Sequence, residues 1–296
     1  MARSRQVSDI RAIIMVHSGI AMNSSFSHEL GRLIEKGRAN NVGLAAHRLA
    51  TGEEILIQAD TAFHPASVIK ICIMMETFRQ AKSSTFSLDD LILVANRFSS
   101  IVDGSPYSLS AVNDSEKELY DCIGQTFSRS ELVRPMITVS SNLATNILME
   151  YIQPAAATDF MRQLGAGDLV LRRGVEDNKA YQLGLNNSGT ARGFMQILLK
   201  LAKREVVSPE DSEEMIRILS QQQFNEMIPA QLPADALVAH KTGWTADYFH
   251  DVGIIYPPNG EPIVLAILTK GYAETDDHAA HAFIASLARG IYEVWK

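Results

Sequence analysis

Strand-forming segments in this 296-residue chain gather at its two ends, and that separation constrains the fold more than any other feature. Ile263-Val264-Leu265-Ala266-Ile267-Leu268 is an unbroken apolar run of strand length, the pattern of a strand covered on both faces. Ala236 to Lys241 and Asp251 to Tyr256 read as two more strands, and Pro257-Pro258-Asn259-Gly260 supplies the turn between the last two. Near the other end, Val42 to Leu49, the turn Thr51-Gly52 and Glu54 to Ile57 read as a hairpin.

The middle has helical spacing instead. Ser67 to Gln80 is apolar nearly all round, which predicts a helix buried on most sides. Further helices are expected from Ser130 towards Ile137, with Pro135 as a kink, from Asn142 to Ile152, closed by Pro154, from Thr190 to Lys203 and from Glu213 to Gln221. Lys82 to Glu131 and Leu171 to Gly189 read as loop-rich, with Asp103-Gly104-Ser105-Pro106 a strong turn. Helices Ser25 to Arg38 and Asp277 to Val294 flank the strands. The expected fold is therefore α/β plus all-α: an antiparallel sheet built from both termini and flanked by helices, with a helical domain inserted between. In numbers, 24–61 and 219–296 form a discontinuous α/β domain and 62–218 an all-helical domain carrying Ser67 and Ser140.

Composition excludes several classes. Apolar residues are 46% and charged residues 21% of the chain, ordinary for a globular protein. The net charge of −7 gives no footprint for a nucleic-acid backbone, and no apolar run approaches the ~20 residues of a membrane span. No nucleic-acid partner, no span and a monomer are expected. Cys72 and Cys122 form neither a C-x-x-C pair nor a metal cluster; a disulfide is undecided, and two buried free thiols are the simpler reading. His278 and His281 share a helix face with no third ligand nearby, so no metal site is expected. His64 and His240 flank the motifs below and either line a cleft there or are structural histidines, the simpler reading. In residues 1–23, Arg3, Arg5 and Arg11 precede the short apolar stretch Ala12 to Val16, but Asp9, His17, Ser18 and Gly19 interrupt the pattern. A cleaved leader and a disordered segment both stay open, and with them the compartment.

Ser67-Val68-Ile69-Lys70 puts a hydroxyl and an amine on one face at the start of the buried helix. The helix dipole there favours negative charge on the serine oxygen, and burial disfavours the charged lysine, making it a proton acceptor. Ser140-Ser141-Asn142 lies in a short turn between two helices, where a hydroxyl and an amide can be aimed into a cleft; it reads equally as a helix cap. Lys241-Thr242-Gly243 ends a predicted strand, where Gly lets a substrate approach the backbone.

Ser-x-x-Lys, Ser-x-Asn and Lys-Thr-Gly in this order mark the penicillin-recognising serine enzymes, and from about Ser25 to Trp295 the chain resembles a class A β-lactamase. Phe63-His64-Pro65-Ala66-Ser67, Met136-Ile137-Thr138-Val139-Ser140, Asn146-Ile147-Leu148 and Asp251-Val252 belong to the resemblance. It implies Ser67 as acylated nucleophile, Lys70 as candidate general base, a role disputed in the family between this lysine and a glutamate acting through water, Ser140 as proton relay to the leaving nitrogen, and Asn142, Lys241 and Thr242 as holders of the substrate. It also implies Gly243 beside the substrate, the backbone NH groups of Ser67 and Trp244 as the oxyanion hole, Trp244 as a bulky wall, and no cofactor. Tyr107 either walls the cleft, as a tyrosine does in the family, or is an exposed loop residue.

Three departures stand out. Ser141 replaces the family's middle Asp, which puts local rigidity in doubt. The family's Arg-x-Glu-x-x-x-Asn is replaced by Arg173-Gly174-Val175-Glu176-Asp177-Asn178, with Ala180 where the Asn belongs. Glu176 is the candidate for activating the deacylating water and reads alternatively as a solvated loop carboxylate. No Arg lies between Arg217 and Arg289 to assist Lys241 with a substrate carboxylate. The expected activity is hydrolysis of β-lactam amides through an acyl-enzyme, with a β-lactam or peptidoglycan-like substrate. A D-Ala-D-Ala peptidase, transpeptidase or esterase with the same acylation site, or a silent penicillin-binding module, are the alternatives. The resemblance favours a periplasmic or secreted protein; a leader that is not a signal would leave it cytoplasmic.

Overall fold

The computed structural model describes residues 24–37, 39–83, 86–272 and 277–296; the leader reading for residues 1–23 lies outside them. In chain order, α1 (Ser24–Lys36), β1 (Asn41–Arg48) and β2 (Glu54–Ile57) precede a 3₁₀ turn at Ala66–Ile69, which leads into α2 (Lys70–Lys82). The segment expected to be loop-rich carries β3 (Leu91–Leu93), β4 (Phe98–Ser99), β5 (Pro106–Tyr107), α3 (Glu118–Asp121) and β6 (Thr126–Ser128). Helices α4 (Arg129–Thr138), α5 (Asn142–Ile152), α6 (Pro154–Gln163), α7 (Asn178–Gln182), α8 (Ala191–Ala202) and α9 (Pro209–Leu219) follow, then β7 (Leu237–Trp244), β8 (Tyr248–Tyr256), β9 (Ile263–Lys270) and α10 (Asp277–Trp295).

The main sheet has the order β2-β1-β9-β8-β7 and is antiparallel throughout. Its halves are joined by β1 and β9, in register from Asn41 opposite Lys270 to Arg48 opposite Ile263, so the sheet is built from both termini as expected. The apolar run on β9 follows from its central place. Ile263, Leu265 and Ile267 face a core shared with α1 and α10, while Val264, Ala266 and Leu268 face the core shared with the helices of the middle.

That second core has α2 at its centre, where ten residues from Lys70 to Gln80 are buried, and α4, α5, α6 and α9 pack around it. Several sequence expectations need correction. α4 begins at Arg129 under a Ser128/Glu131 capping box and runs through Pro135 to Thr138, and the Pro135 carbonyl accepts from both Val139 N and Ser141 N. Pro135 thus turns the chain at the helix end. Pro154 closes α5 and also opens α6 at its first turn, a position that needs no N–H. Ser208 caps α9 ahead of Pro209, several residues earlier than expected. β7 extends through Gly243 to Trp244 because it pairs with β8 as far as Trp244 opposite Phe249. Both cysteines are free, and Cys122 is only half-buried.

Candidate active site

The 3₁₀ turn puts Ser67 one turn ahead of Lys70, whose side chain is fully buried. Lys70 Nζ donates to the Ser140 carbonyl at 2.7 Å and to Asn142 Oδ1 at 2.8 Å, and lies 3.2 Å from Ser140 Oγ. Burial pulls Lys70 down from the ordinary lysine range to about 7, against the opposing charges of Asp114 and Glu176. A lysine so held is neutral in a large fraction of molecules near pH 7.

Ser140 and Ser141 sit in the tight connection between α4 and α5. Ser140 has φ +61°, and Ser141 Oγ caps α5 by accepting from Ala144 N. This cap leaves the first amides of α5 to a residue the sequence did not single out. Asp114, buried, accepts from Asn142 N at 2.9 Å and Leu143 N at 2.8 Å through one carboxylate oxygen. Its place in a loop rich in turn-forming residues gave no signal of that role.

Glu176 lies on the same network. Asn142 Nδ2 donates to Glu176 Oε1 at 2.9 Å, so one amide side chain joins Lys70 on one side to Glu176 on the other. Burial raises the Glu176 carboxyl above the usual glutamate range, and the Asn142 hydrogen bond opposes it. The loop path that brings it there is fixed at several points. Its neck is closed by Val170 pairing with Ser188 and Phe63 with Gly189. Asn187 Oδ1 accepts from Arg172 N and Arg173 N, and Asn146 both accepts from Val175 N and donates to the Val175 carbonyl. A Cβ on Gly174 would come within 2.5 Å of Asn146 Oδ1, so only glycine permits this approach. Asp177 caps α7 and accepts from Ser100 Oγ and Ile101 N. Ala180 is buried in α7.

Tyr107 is half-buried against this loop: its hydroxyl accepts from Asn146 Nδ2 at 3.3 Å and reaches the Val175 carbonyl at 3.4 Å. Burial pushes it up to about 12. His64, also half-buried, accepts from Ala66 N at 3.1 Å and is held down at about 4, chiefly by burial and then by the Arg173 charge. It therefore pins the backbone just before Ser67, where Ala66 has φ +46°.

On the strand side, Lys241 is fully buried and donates to the Thr242 carbonyl at 2.8 Å. Burial, with the nearby Lys70 charge adding to it, lowers it well below the lysine range. Thr242 Oγ1 is buried without a hydrogen-bond partner. Lys241 and the unpaired Thr242 hydroxyl therefore offer hydrogen-bond donors side by side on β7. The next residue, Gly243, lies against the 3₁₀ turn that holds Ser67: a Cβ there would be 2.7 Å from Ser67 N and 2.8 Å from Val68 N. Glycine is required by the approach of the 3₁₀ turn itself. Trp244 is exposed and meets Phe224 edge-on at 5.1 Å.

His240 is buried and bonded to Asp251, whose other oxygen accepts from Ile228 N. His278 is exposed, and His281 packs edge-on against Phe249. Among the described residues no group of three or more His, Cys, Asp or Glu is placed to hold a metal, and no helix is long and apolar enough to cross a membrane.

Fold and site together define a class A β-lactamase architecture. An ancestral class A β-lactamase superposes with a TM-score of 0.78 at 25% identity, covering 91% of this chain and all of that one. PBP-A shares the fold with a TM-score of 0.77 at 22% identity, over 92% of this chain and 96% of that one. A carbapenem-hydrolyzing β-lactamase, KPC of Klebsiella oxytoca, is 26% identical over 261 residues, 86% of this chain and 84% of that protein. The profile of the beta-lactamase enzyme family matches residues 25–295. The chain belongs to that family and is a serine hydrolase of the β-lactamase type.

Proposed function

We propose that the protein hydrolyses β-lactam amides in two steps, with Ser67 as the nucleophile. Neutral Lys70 takes the Ser67 hydroxyl proton as the oxygen attacks the carbonyl carbon. The backbone NH groups of Ser67 and Trp244 receive the developing oxyanion. As the C–N bond breaks, Ser140 passes a proton to the leaving nitrogen and is reprotonated from Lys70. The contact with Ser140 Oγ, at 3.2 Å the longest of those quoted for Lys70 Nζ, can reverse its direction once Lys70 is neutral. Lys241 and Thr242 hold the substrate carboxylate, Asn142 its amide side chain, and Gly243, Trp244 and Tyr107 line the cleft. Glu176 then takes a proton from water as the water oxygen attacks the ester carbonyl carbon, and that proton is returned to Ser67 Oγ as the ester C–O bond breaks.

The observation that carries this reading is the chain of hydrogen bonds from Ser140 through Lys70 and Asn142 to Glu176. It connects the proposed proton acceptor of each step and favours the catalytic role of Glu176 over a solvated loop carboxylate. On this reading the cleft lies between a sheet domain of residues 24–61 and 219–296 and a helical domain of residues 62–218, and the monomer is the working unit with no nucleic-acid partner. Ser67→Ala tests the nucleophile: mass spectrometry should find a penicillin adduct on the parent and none on the variant. Ser67 lies inside the 3₁₀ turn, and neither that turn nor α2 is capped by a side chain, so removing its hydroxyl should leave the variant folded. An adduct on the variant would move the nucleophile elsewhere.

A further inference from the structure

The family's middle motif carries an Asp at the position held here by Ser141, yet the turn that presents Ser140 and Asn142 is fully hydrogen-bonded around a carboxylate. That carboxylate is Asp114. One of its oxygens, Oδ2, receives Asn142 N at 2.9 Å, Leu143 N at 2.8 Å and the Tyr120 hydroxyl at 3.0 Å, and lies 3.5 Å from Ser141 Oγ. The other, Oδ1, accepts from Glu116 N at 3.1 Å. Asp114 is buried and Ser141 wholly so, so the two side chains face each other across a space closed to solvent. At 3.5 Å between Ser141 Oγ and Asp114 Oδ2, an acidic side chain at both positions would put two like charges in buried contact.

From there the geometry runs directly to the lysine. The amide nitrogen held by Asp114 belongs to Asn142, whose side-chain oxygen accepts from Lys70 Nζ and whose side-chain nitrogen donates to Glu176. We propose that Asp114 is a positioning residue for acylation: it replaces, from a neighbouring loop, the carboxylate missing at position 141, and it fixes Asn142 and supplies the negative charge that faces Lys70. The proposal rests on the acylation reading above for the role of Lys70. The charged and titratable groups around Lys70 are Asp114, Glu176 and Lys241, and those around Asp114 are Tyr120, Glu116, Glu176 and Lys70.

Two independent readouts test it. Asp114→Asn keeps the shape and removes the charge. The NMR titration of the Lys70 side chain should then reach its midpoint about one pH unit lower, the scale of one buried charge at short range, and the acid limb of the penicillin acylation rate should move the same way. An unmoved midpoint in a parent that is acylated would overturn the proposal. A parent that is never acylated, with a midpoint that still moves on substitution, would remove the acylation reading and support the positioning of Lys70. The second readout is a double-mutant cycle. Asp114→Ser should slow acylation at least tenfold, and Ser141→Asp alone should lower thermal stability by placing two carboxylates in contact. Together, Asp114→Ser with Ser141→Asp should recover most of both losses. Additive losses in the double variant would show that the two positions do not share one carboxylate, and would refute the exchange.

Discussion

Gly243→Ala is a small substitution with a large expected consequence. A Cβ at that position would lie 2.7 Å from Ser67 N, 2.8 Å from Val68 N and 3.2 Å from Ser67 Cα. These are backbone atoms of the turn that carries the nucleophile, so no flexible side chain can swing aside. Reaching an ordinary contact of about 3.4 Å requires β7 and the turn to part by roughly 0.7 Å. Both proposed oxyanion donors, Ser67 N and Trp244 N, flank this contact, so the separation widens the space between them. A misplacement of 1 Å costs about 10²-fold, which scales to roughly 25-fold for this shift, or about 2 kcal/mol of barrier. Overpacking adds about 1 to 3 kcal/mol of lost stability. Stopped-flow acylation by a chromogenic cephalosporin, with thermal unfolding beside it, measures both. A folded Gly243→Ala protein acylated within twofold of the parent would refute the argument that the strand and the nucleophile turn are held at contact.

Three further outcomes follow from the site. Glu176→Gln should let the acyl-enzyme accumulate while acylation changes little, because the amide cannot accept the proton; equal burst size and steady-state rate in parent and variant would remove Glu176 from deacylation. Lys70→Ala should slow acylation by roughly 10² to 10⁴-fold, whereas Lys241→Ala should also raise KM through loss of a hydrogen-bond donor to the substrate carboxylate. Acylation should rise with pH through about 7, as Lys70 loses its proton. Because Lys70 is lowered in the fold and ordinary in the unfolded chain, the unfolded state binds more protons from about pH 7 to 10, so this residue's contribution to stability rises across that window. Urea unfolding of the parent and of Lys70→Met should show the slope in the parent and its loss in the variant.

The sequence carried the sheet because β9 and β1 are apolar enough to be recognised without knowledge of their partners. It carried the three motifs because each holds its chemistry within a few adjacent residues. What it could not show depends on contacts between distant segments. The extension of β7 past Lys241, through Thr242 and Gly243 to Trp244, follows from pairing with β8, and a glycine read locally marks an end. Helix α6 is hidden by Pro154, which signals a stop and a start with the same residue. Asp114 reads as a turn residue, since nothing local says that its carboxylate meets the first turn of a helix 28 residues on. The local motif around Glu176 does not show its position, because the bonds that set it come from Asn142, Asn146 and Asn187.

Backbone conformation gives a physical reason for these distant pins. Among the described residues, seven other than glycine have positive φ, and three of them, Ala66, Ser140 and Glu176, are at the site. Such a conformation costs on the order of 1 to 3 kcal/mol each unless the surroundings hold it. Each of the three has its holder: His64 accepts from Ala66 N, the Pro135 carbonyl accepts from Ser141 N just after Ser140, and Asn146 grips both polar groups of Val175 just before Glu176. Glycine at these positions would relieve the strain, but it would also free the backbone next to the reacting atoms. The bonds to His64, Pro135 and Asn146 oppose that strain while keeping a side chain in place, and at Ser140 and Glu176 that side chain is one the proposed chemistry uses.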